Sequence, residues 1–212
     1  LIDSNLNLKL LDNEKNNLLM ILLKNNCNFK YINYLVEHKI FHLNYLNKKF
    51  RTVLFFVVND IIILRYLIKK NACPYILDID NESLLFHACR ILNNDKVVKY
   101  LLNIIKLDIN LKNNEFNPAI FYTTDYNIMK LLLSYDEINK NIVDINGNTF
   151  LNYYCKINNC NYDILNLLIN NGYNINTKNY YNETVLFSYL TINDDISCLL
   201  LLLKNNTTFN NL

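Results

Sequence analysis

The 212-residue sequence predicts an all-α solenoid of about six stacked helix pairs joined by extended loops. Three observations carry that expectation. First, a short pattern recurs: a hydroxyl residue, Asn or Pro, an apolar residue, a Leu or Ile, and usually an aromatic residue. Its third position falls at Leu19, Leu54, Leu85, Ile120, Leu151 and Leu186, so the spacing runs 35, 31, 35, 31, 35 and alternate units are always equally far apart. Second, each unit carries a further apolar block with helix-like spacing, and one such helix pair cannot bury its own apolar face, so the units must stack. Third, the chain has only two glycines and two prolines. That shortage argues against the Gly-built turns of a β-sandwich and against phosphate-cradling loops.

Taken in order, the first blocks read NLLM at 17–20, TVLF at 52–55, SLLF at 83–86, PAIF at 118–121, TFLN at 149–152 and TVLF at 184–187. The second blocks are YLV at 34–36, YLI at 66–68, YLL at 100–102, LLL at 131–133, LLI at 167–169 and LLL at 201–203. Short polar stretches such as Asn93-Asn94-Asp95 and Asn158-Asn159 separate the two blocks, and apolar–Asn pairs follow the second: Leu43-Asn44, Ile109-Asn110, Ile138-Asn139, Ile175-Asn176 and Phe209-Asn210. Thr52, Ser83, Thr149 and Thr184 stand just before a first helix, where a hydroxyl accepts an orphan backbone N–H. Glu82 and Glu183 precede two of them and add charge near a positive helix terminus. Six helix pairs should make about half or more of the chain helical.

These residues resemble the ankyrin repeat, whose period is about 33 residues and whose signature is T-P-L-H-x-A. TVLFSY at 184–189 and TFLNYY at 149–154 keep the Thr and Leu, and SLLFHA at 83–88 keeps a hydroxyl, the Leu and the Ala. INTKNYYNET at 175–184 and DINGNT at 144–149 look like the family's hairpin finger, with Asp12, Asp78 and Asp144 in its Asp slot and Asn47, Asn113 and Asn179 in alternate repeats. The resemblance implies an ankyrin-like solenoid with β-hairpin-like finger loops. It places one domain over 1–212, with repeats at 12–46, 47–77, 78–112, 113–143, 144–178 and 179–212, and 1–11 as the tail of a preceding repeat. The family's His becomes Phe at Phe55, Phe86, Phe121 and Phe187. Its small residue becomes Tyr154 or Tyr189, and only Gly147 keeps the finger's glycine. Lys15, Phe50 and Phe116 fit that left-handed position less easily than Asn81 or Asn182.

Composition narrows the function. The charges are 21 basic and 19 acidic, a net of +2, so no global field marks the chain for nucleic acid or membrane. Hydrophobic residues make up 51%, too many for a disordered chain. Asparagine occurs 42 times, a bias read as A/T-rich codon usage before function. The longest apolar stretch, 53–58, is far short of the roughly 20 residues that cross a bilayer. The first residues, LIDSNLNLKLL, lack the basic, apolar and small-residue regions of a secretory signal, and the six cysteines form no CxxC pair, which together suggest an intracellular protein, cytoplasmic or nuclear. The opening LIDSNLN and the apolar run at 199–203 suggest a piece of a longer repeat array.

No catalytic residue, cofactor or metal is expected. Cys89 and Cys155, in the same slot two repeats apart, occupy a core position. His38 and His42 have metal-gripping i, i+4 spacing but no third ligand. His87 reads as a surface or packing residue, and no P-loop, GxGxxG, HExxH or GxSxG is present. The expected function is a non-catalytic protein–protein interaction module that binds an unidentified protein partner through the concave face. The alternatives are a structural spacer in a longer repeat protein and, with no site to support it, an enzyme or metalloprotein. Carried over from the family, the contact residues are Lys48, Lys49 and Arg51, then Asp80 and Glu82, Asn114 and Glu115, and Tyr180, Tyr181 and Glu183 at the finger tips. Arg90 and Lys156 close the first helices. Such a groove would run from a basic end, through an acidic middle, to an aromatic end.

Overall fold

The computed structural model describes residues 10–157 and 160–205. The leading tail expected over 1–11 therefore lies almost wholly outside the described residues, as do the Asn158-Asn159 turn and the Phe209-Asn210 pair. The chain divides into two compact units, residues 1–107 and 108–212.

The first unit holds α1 (Leu18–Lys24) and α2 (Phe29–Glu37), a 3-10 turn (Val53–Phe56) with α3 (Ile61–Lys69), and α4 (Leu84–Cys89) with α5 (Asp95–Asn103). The second holds a 3-10 turn (Ala119–Tyr122) with α6 (Tyr126–Leu133), α7 (Phe150–Cys155) with α8 (Tyr162–Asn170), and α9 (Val185–Leu190) with α10 (Ile196–Asn205). The alternating spacing now has a physical meaning. In each unit followed by the shorter spacing, the first helix is a four-residue 3-10 turn. The shortfall amounts to about one α-helical turn. This corrects the expected helix content: among the described residues, ten α-helices of six to ten residues fill less than half.

The third position of the repeated pattern is the spine of the core. Leu19, Leu54, Leu85, Ile120 and Leu151 are all buried, and so are Phe55, Phe86 and Phe121 beside them. Burying each such side chain stabilises the fold by roughly 1.5–3 kcal/mol. In α9 the same slots are looser: Leu186 is half-buried and Phe187 is exposed. Tyr154 and Tyr189, which stand where the family has a small residue, are fully sequestered and donate or accept at the following loop. The Tyr154 hydroxyl accepts from the Asn161 N–H at 3.1 Å, and the Tyr189 hydroxyl donates to the Asp195 carbonyl at 2.6 Å.

The hydroxyl caps divide in two. Thr149 and Thr184 accept from the N–H groups of Asn152 and Phe187. Thr52 and Ser83 do not, and their hydroxyls are buried without a partner. The backbone explains the difference, because the N–H that each would receive, on Phe55 and Phe86, already donates to the carbonyl of Thr52 or Ser83 itself.

Each finger is a tight turn built by one Asp or Asn. The side-chain oxygen of Asp12, Asn47, Asp78, Asn113, Asp144 or Asn179 accepts the N–H groups two and four positions on. The backbone N–H of that same residue donates to the carbonyl four positions on, which closes the loop. The residue three on is thereby forced to positive φ: Lys15, Phe50, Asn81, Phe116, Gly147 and Asn182. Among the described residues the only hairpin-like pairing is an isolated antiparallel bridge between Val143 and Thr149, so the fingers are turns rather than β-hairpins.

Asparagine carboxamides join successive repeats within each unit. Asn44 accepts the Cys73 N–H at 2.7 Å, and its equivalent Asn110 accepts the Asn139 N–H at 2.8 Å while donating to the Glu137 carbonyl. Asn94 donates to the carbonyls of Val58 and Ala88, and Asn193 donates to the Cys155 carbonyl.

The two glycines separate strain from contact. Both sit at positive φ, but a Cβ on Gly147 would lie 2.5 Å from the Tyr180 ring, whereas Gly172 has open space around it. Gly172→Ala should therefore cost only the left-handed strain, about 1 kcal/mol, and Gly147→Ala should cost more and displace Tyr180. Urea unfolding of the two variants measures the difference; equal losses would remove the Gly147–Tyr180 contact from the account.

Candidate finger-tip surface

The Asx turn decides which finger residues face outward. In the first unit it projects Lys48, Lys49 and Phe50 from one finger and Ile79 and Asp80 from the next, all exposed. The two fingers are joined by the Ile79 N–H, which donates to the Lys49 carbonyl at 2.9 Å. In the second unit it projects Asn114, Glu115 and Phe116, then Ile145, then Tyr180 and Tyr181. The Tyr180 N–H donates to the Asn146 carbonyl at 3.0 Å, and the Tyr181 hydroxyl reaches the Asn146 side chain. Tyr180 lies against Gly147 on one side yet remains 74% exposed. Each of these fingers thus presents at least one large apolar side chain at its tip.

The other expected contact residues lie behind the tips and are tied to one another. Arg51 donates twice, at 3.0 and 2.8 Å, to one oxygen of the buried Asp78 carboxylate. The same oxygen receives the His87 Nε2–H at 3.0 Å. Glu82 is 4% exposed, at the base of its finger rather than its tip, and forms a two-pronged pair with Arg90, 2.6 Å on each side. In the second unit Lys156 donates to Glu183 at 2.7 Å, and Asn179 donates to the same oxygen at 2.8 Å. Those two bonds hold the Glu183 carboxyl below the usual range. Arg51 with Asp78 and Lys156 with Glu183 therefore tie successive repeats, Arg90 with Glu82 braces its own repeat, and of the expected contact charges only Lys48, Lys49, Asp80 and Glu115 remain exposed at the tips.

One cluster has ligand-bearing side chains close together: Asp78, Glu82 and His87 offer atoms within 4.8 Å of one another. The donor set does not suit a cation, because Arg51 and Arg90 already occupy its carboxylate oxygens and balance their charge. Burial alone would raise the Asp78 pKa; the hydrogen bonds from His87, Arg51 and the Glu82 N–H outweigh it and bring the carboxyl down to about 2. His87 also meets Phe55 edge-on, with ring centroids 5.0 Å apart. The two spaced histidines part company: His38 caps α2 through the Tyr34 carbonyl and stacks on Tyr34, while His42 accepts from the Asn44 N–H.

Sequence spacing did not reveal a thiol cluster in the second unit. Cys155, Cys160 and Cys198 are buried and free. Cys198 donates to the Cys160 carbonyl at 3.5 Å. Burial pushes the Cys198 thiol up to about 12, and Cys89, alone in the first unit's core, likewise. Cys160 and Cys198 belong to a loop and a second helix in successive repeats, so only the repeat register, applied to both, could have brought them together.

Comparison with known proteins agrees with this architecture. The sequence profile of the ankyrin repeat family matches residues 146–180. A probable serine/threonine-protein kinase of Dictyostelium discoideum is 34% identical over 100 residues, covering 44% of this chain and 10% of that protein. The chain thus spans about a tenth of that relative's length. Among solved structures, the ankyrin repeat protein EF0377 superposes with a TM-score of 0.72 at 19% identity, over 87% of this chain and 96% of that one. The ankyrin repeat domain of Bcl-3, a member of the IkappaB family, gives 0.71 at 21% identity, over 91% and 87%.

The ion network has a pH signature. Asp78 titrates near 2 in the folded chain against an ordinary 3.8. Its contribution, roughly 2 kcal/mol, is fully present above about pH 5 and is lost as pH falls through 2. Asp78→Asn keeps the oxygen that receives the Asp80 and Glu82 N–H groups but leaves Arg51 without its anion. Unfolding at pH 7 should show a loss of about 2 kcal/mol, shrinking toward zero as the pH approaches 2. A loss that stays constant with pH would show that the carboxylate charge is not what matters.

Proposed function

On the ankyrin-repeat fold that this chain carries, we propose a non-catalytic protein–protein interaction module that holds its partner with the finger tips and the exposed side of the first helices, the concave face of such a solenoid. Ankyrin repeats generally serve as protein-interaction modules, and the tips here supply what such a contact needs. The observation that carries the reading is the exposed apolar side chain on successive fingers. Phe50 and Phe116 make it sharper, since both adopt the left-handed backbone at φ 58 and 64. A side chain with a Cβ costs about 1–2 kcal/mol there, and a phenylalanine that leaves more than half of its surface in solvent recovers only part of it by burial. A tip built for folding alone would carry Gly or Asn, as at Gly147 and Asn182. Strained, exposed aromatic residues point to a contact made with something else, and tyrosine is among the residues that dominate interface energetics.

The exposed tip charges, Lys48, Lys49, Asp80 and Glu115, steer encounter, and Tyr180 and Tyr181 anchor the contact. Arg51, Glu82, Arg90, Lys156 and Glu183 set the spacing of that surface from behind. Among the described residues no helix is long and apolar enough to cross a membrane, and no nucleophile stands beside a base. The kinase activity named for the Dictyostelium relative belongs to a protein of which the matched stretch is a tenth; in this reading the present chain supplies the repeat portion of a longer, intracellular protein.

The test uses a partner recovered from the source cell and measured by calorimetry. Tyr180→Ala with Tyr181→Ala should weaken binding at least fivefold, which is about 1 kcal/mol, with the melting curve almost unmoved. Phe116→Gly should weaken binding while leaving the chain as stable as before or slightly more so. Full binding by both variants would contradict the finger-tip reading.

A further inference from the structure

The finger face carries mostly self-neutralised charge; the second helices of the first unit do not. Between α3 and α5 runs an open groove of about 440 Å³. Its apolar lining is the half-buried Ile61 and Tyr100 with the exposed Ile104, and Arg65, Lys96 and Lys99 line it beside them. The Arg65 guanidinium lies 5.6 Å above the Tyr100 ring, which fixes its direction without neutralising it. No carboxylate lines the groove. The nearest acidic side chains of the two helices are Asp60, which caps α3 through the N–H groups of Ile62 and Ile63, and Asp95 at the start of α5. Lys70, further along α3, is paired with Glu37, whereas Arg65, Lys96 and Lys99 enter none of the ion pairs among the described residues.

The net charge of +2 conceals a division. Residues 1–107 hold 15 basic and 9 acidic side chains, a net of +6, whereas residues 108–212 hold 6 and 10, a net of −4. The first unit is thus strongly cationic, and three of its unpaired cations, Arg65, Lys96 and Lys99, border an apolar strip.

We propose that this groove docks an acidic peptide segment of a partner protein, which lays a large apolar side chain on Ile61, Tyr100 and Ile104 and sets its carboxylates against Arg65, Lys96 and Lys99. The chemistry selects the occupant. An apolar anchor is favoured by the apolar lining, anions by the cations beside it, and cationic or neutral segments leave three desolvated cations uncompensated. The groove is open along helices of nine residues each, about 13 Å. It is too open to enclose a small molecule and long enough for two turns of a helical peptide. A bilayer surface fits less well, because only Ile104 of the three apolar residues projects, while Ile61 and Tyr100 are half-buried between the helices. This surface lies on second helices and is independent of the finger-tip reading.

A phage-displayed library of random dodecapeptides, selected on the full chain, tests it. Selection should enrich sequences that combine Asp or Glu with Leu, Ile, Phe or Trp. Fluorescence anisotropy with the enriched peptide should then show at least tenfold weaker binding to Arg65→Glu with Lys99→Glu, and at least fivefold weaker binding when salt rises from 50 to 500 mM. Lys130→Glu with Lys204→Glu makes the same charge change at exposed positions elsewhere and should bind within twofold of the parent. Tyr180→Ala with Tyr181→Ala should do likewise, which separates failure here from failure of the finger-tip surface. Melting curves establish that each variant is folded. The proposal is overturned by no acidic–apolar motif in the selection, by full binding of the peptide to the Arg65/Lys99 variant, or by binding of the parent chain to phosphatidylserine vesicles that the variant loses while the peptide is ignored. Concentration-dependent self-association abolished by the same two changes would also overturn it, assigning the cationic groove to a second copy.

Discussion

One side-chain oxygen per repeat organises this protein. The Asp or Asn that opens each finger accepts two backbone N–H groups, and from that bond follow the tight turn, the left-handed third residue and the outward projection of the tip. A buried or half-buried N–H left unpaired costs about 1–3 kcal/mol, so two of them per finger make the Asx residue the most constrained polar position in the repeat. The apolar spine, Leu19 through Leu151, supplies the bulk of the stabilisation, but it specifies stacking alone. The Asx turn specifies what the stack presents.

The alternation of Asp and Asn at that position follows from the neighbouring finger. At Asp12 and Asp144 the carboxylate accepts a carboxamide N–H from Asn16 or Asn148, four positions on. The free oxygen of that asparagine then accepts from Asn47 or Asn179 in the next repeat, at 2.7 and 2.9 Å. An Asp at 47 or 179 could not donate, so the two-repeat period records a relay of donors and acceptors. In the repeat that opens at Asp78, Glu82 takes the place of the relaying asparagine, and arginines supply the donors. Charge replaces amide chemistry there, and Asp78, held down to about 2, makes that finger sensitive to acid.

The solenoid was legible because apolar spacing survives substitution: the alternation from Leu19 to Leu186 can be read without knowing what each slot touches. The finger's Asx slot was also legible, from its six-fold recurrence. Partnerships between repeats were not. Arg51 and Asp78 stand in successive repeats, and nothing in the local pattern distinguishes a buried Glu82 from a solvated finger charge; the distinction arises only when Arg90 folds back over it. Likewise the alternating period announced that something shortened, but the loss of one turn from the first helix, leaving a 3-10 segment, depends on packing. Asparagine abundance, first attributed to codon bias, includes residues at caps, left-handed turns and inter-repeat clamps, because a carboxamide both donates and accepts. Composition cannot separate those uses from drift.

The Asx oxygen, more than local sequence preference or packing, folds each finger. Equilibrium urea unfolding of Asn47→Asp and Asn47→Ala tests it directly. Asp keeps the oxygen that accepts from Lys49 and Arg51 and loses only the donation to Asn16, so it should cost about 1 kcal/mol. Alanine removes all three bonds and should cost at least twice as much. Equal losses for the two variants, or an alanine variant as stable as the parent, would contradict the account.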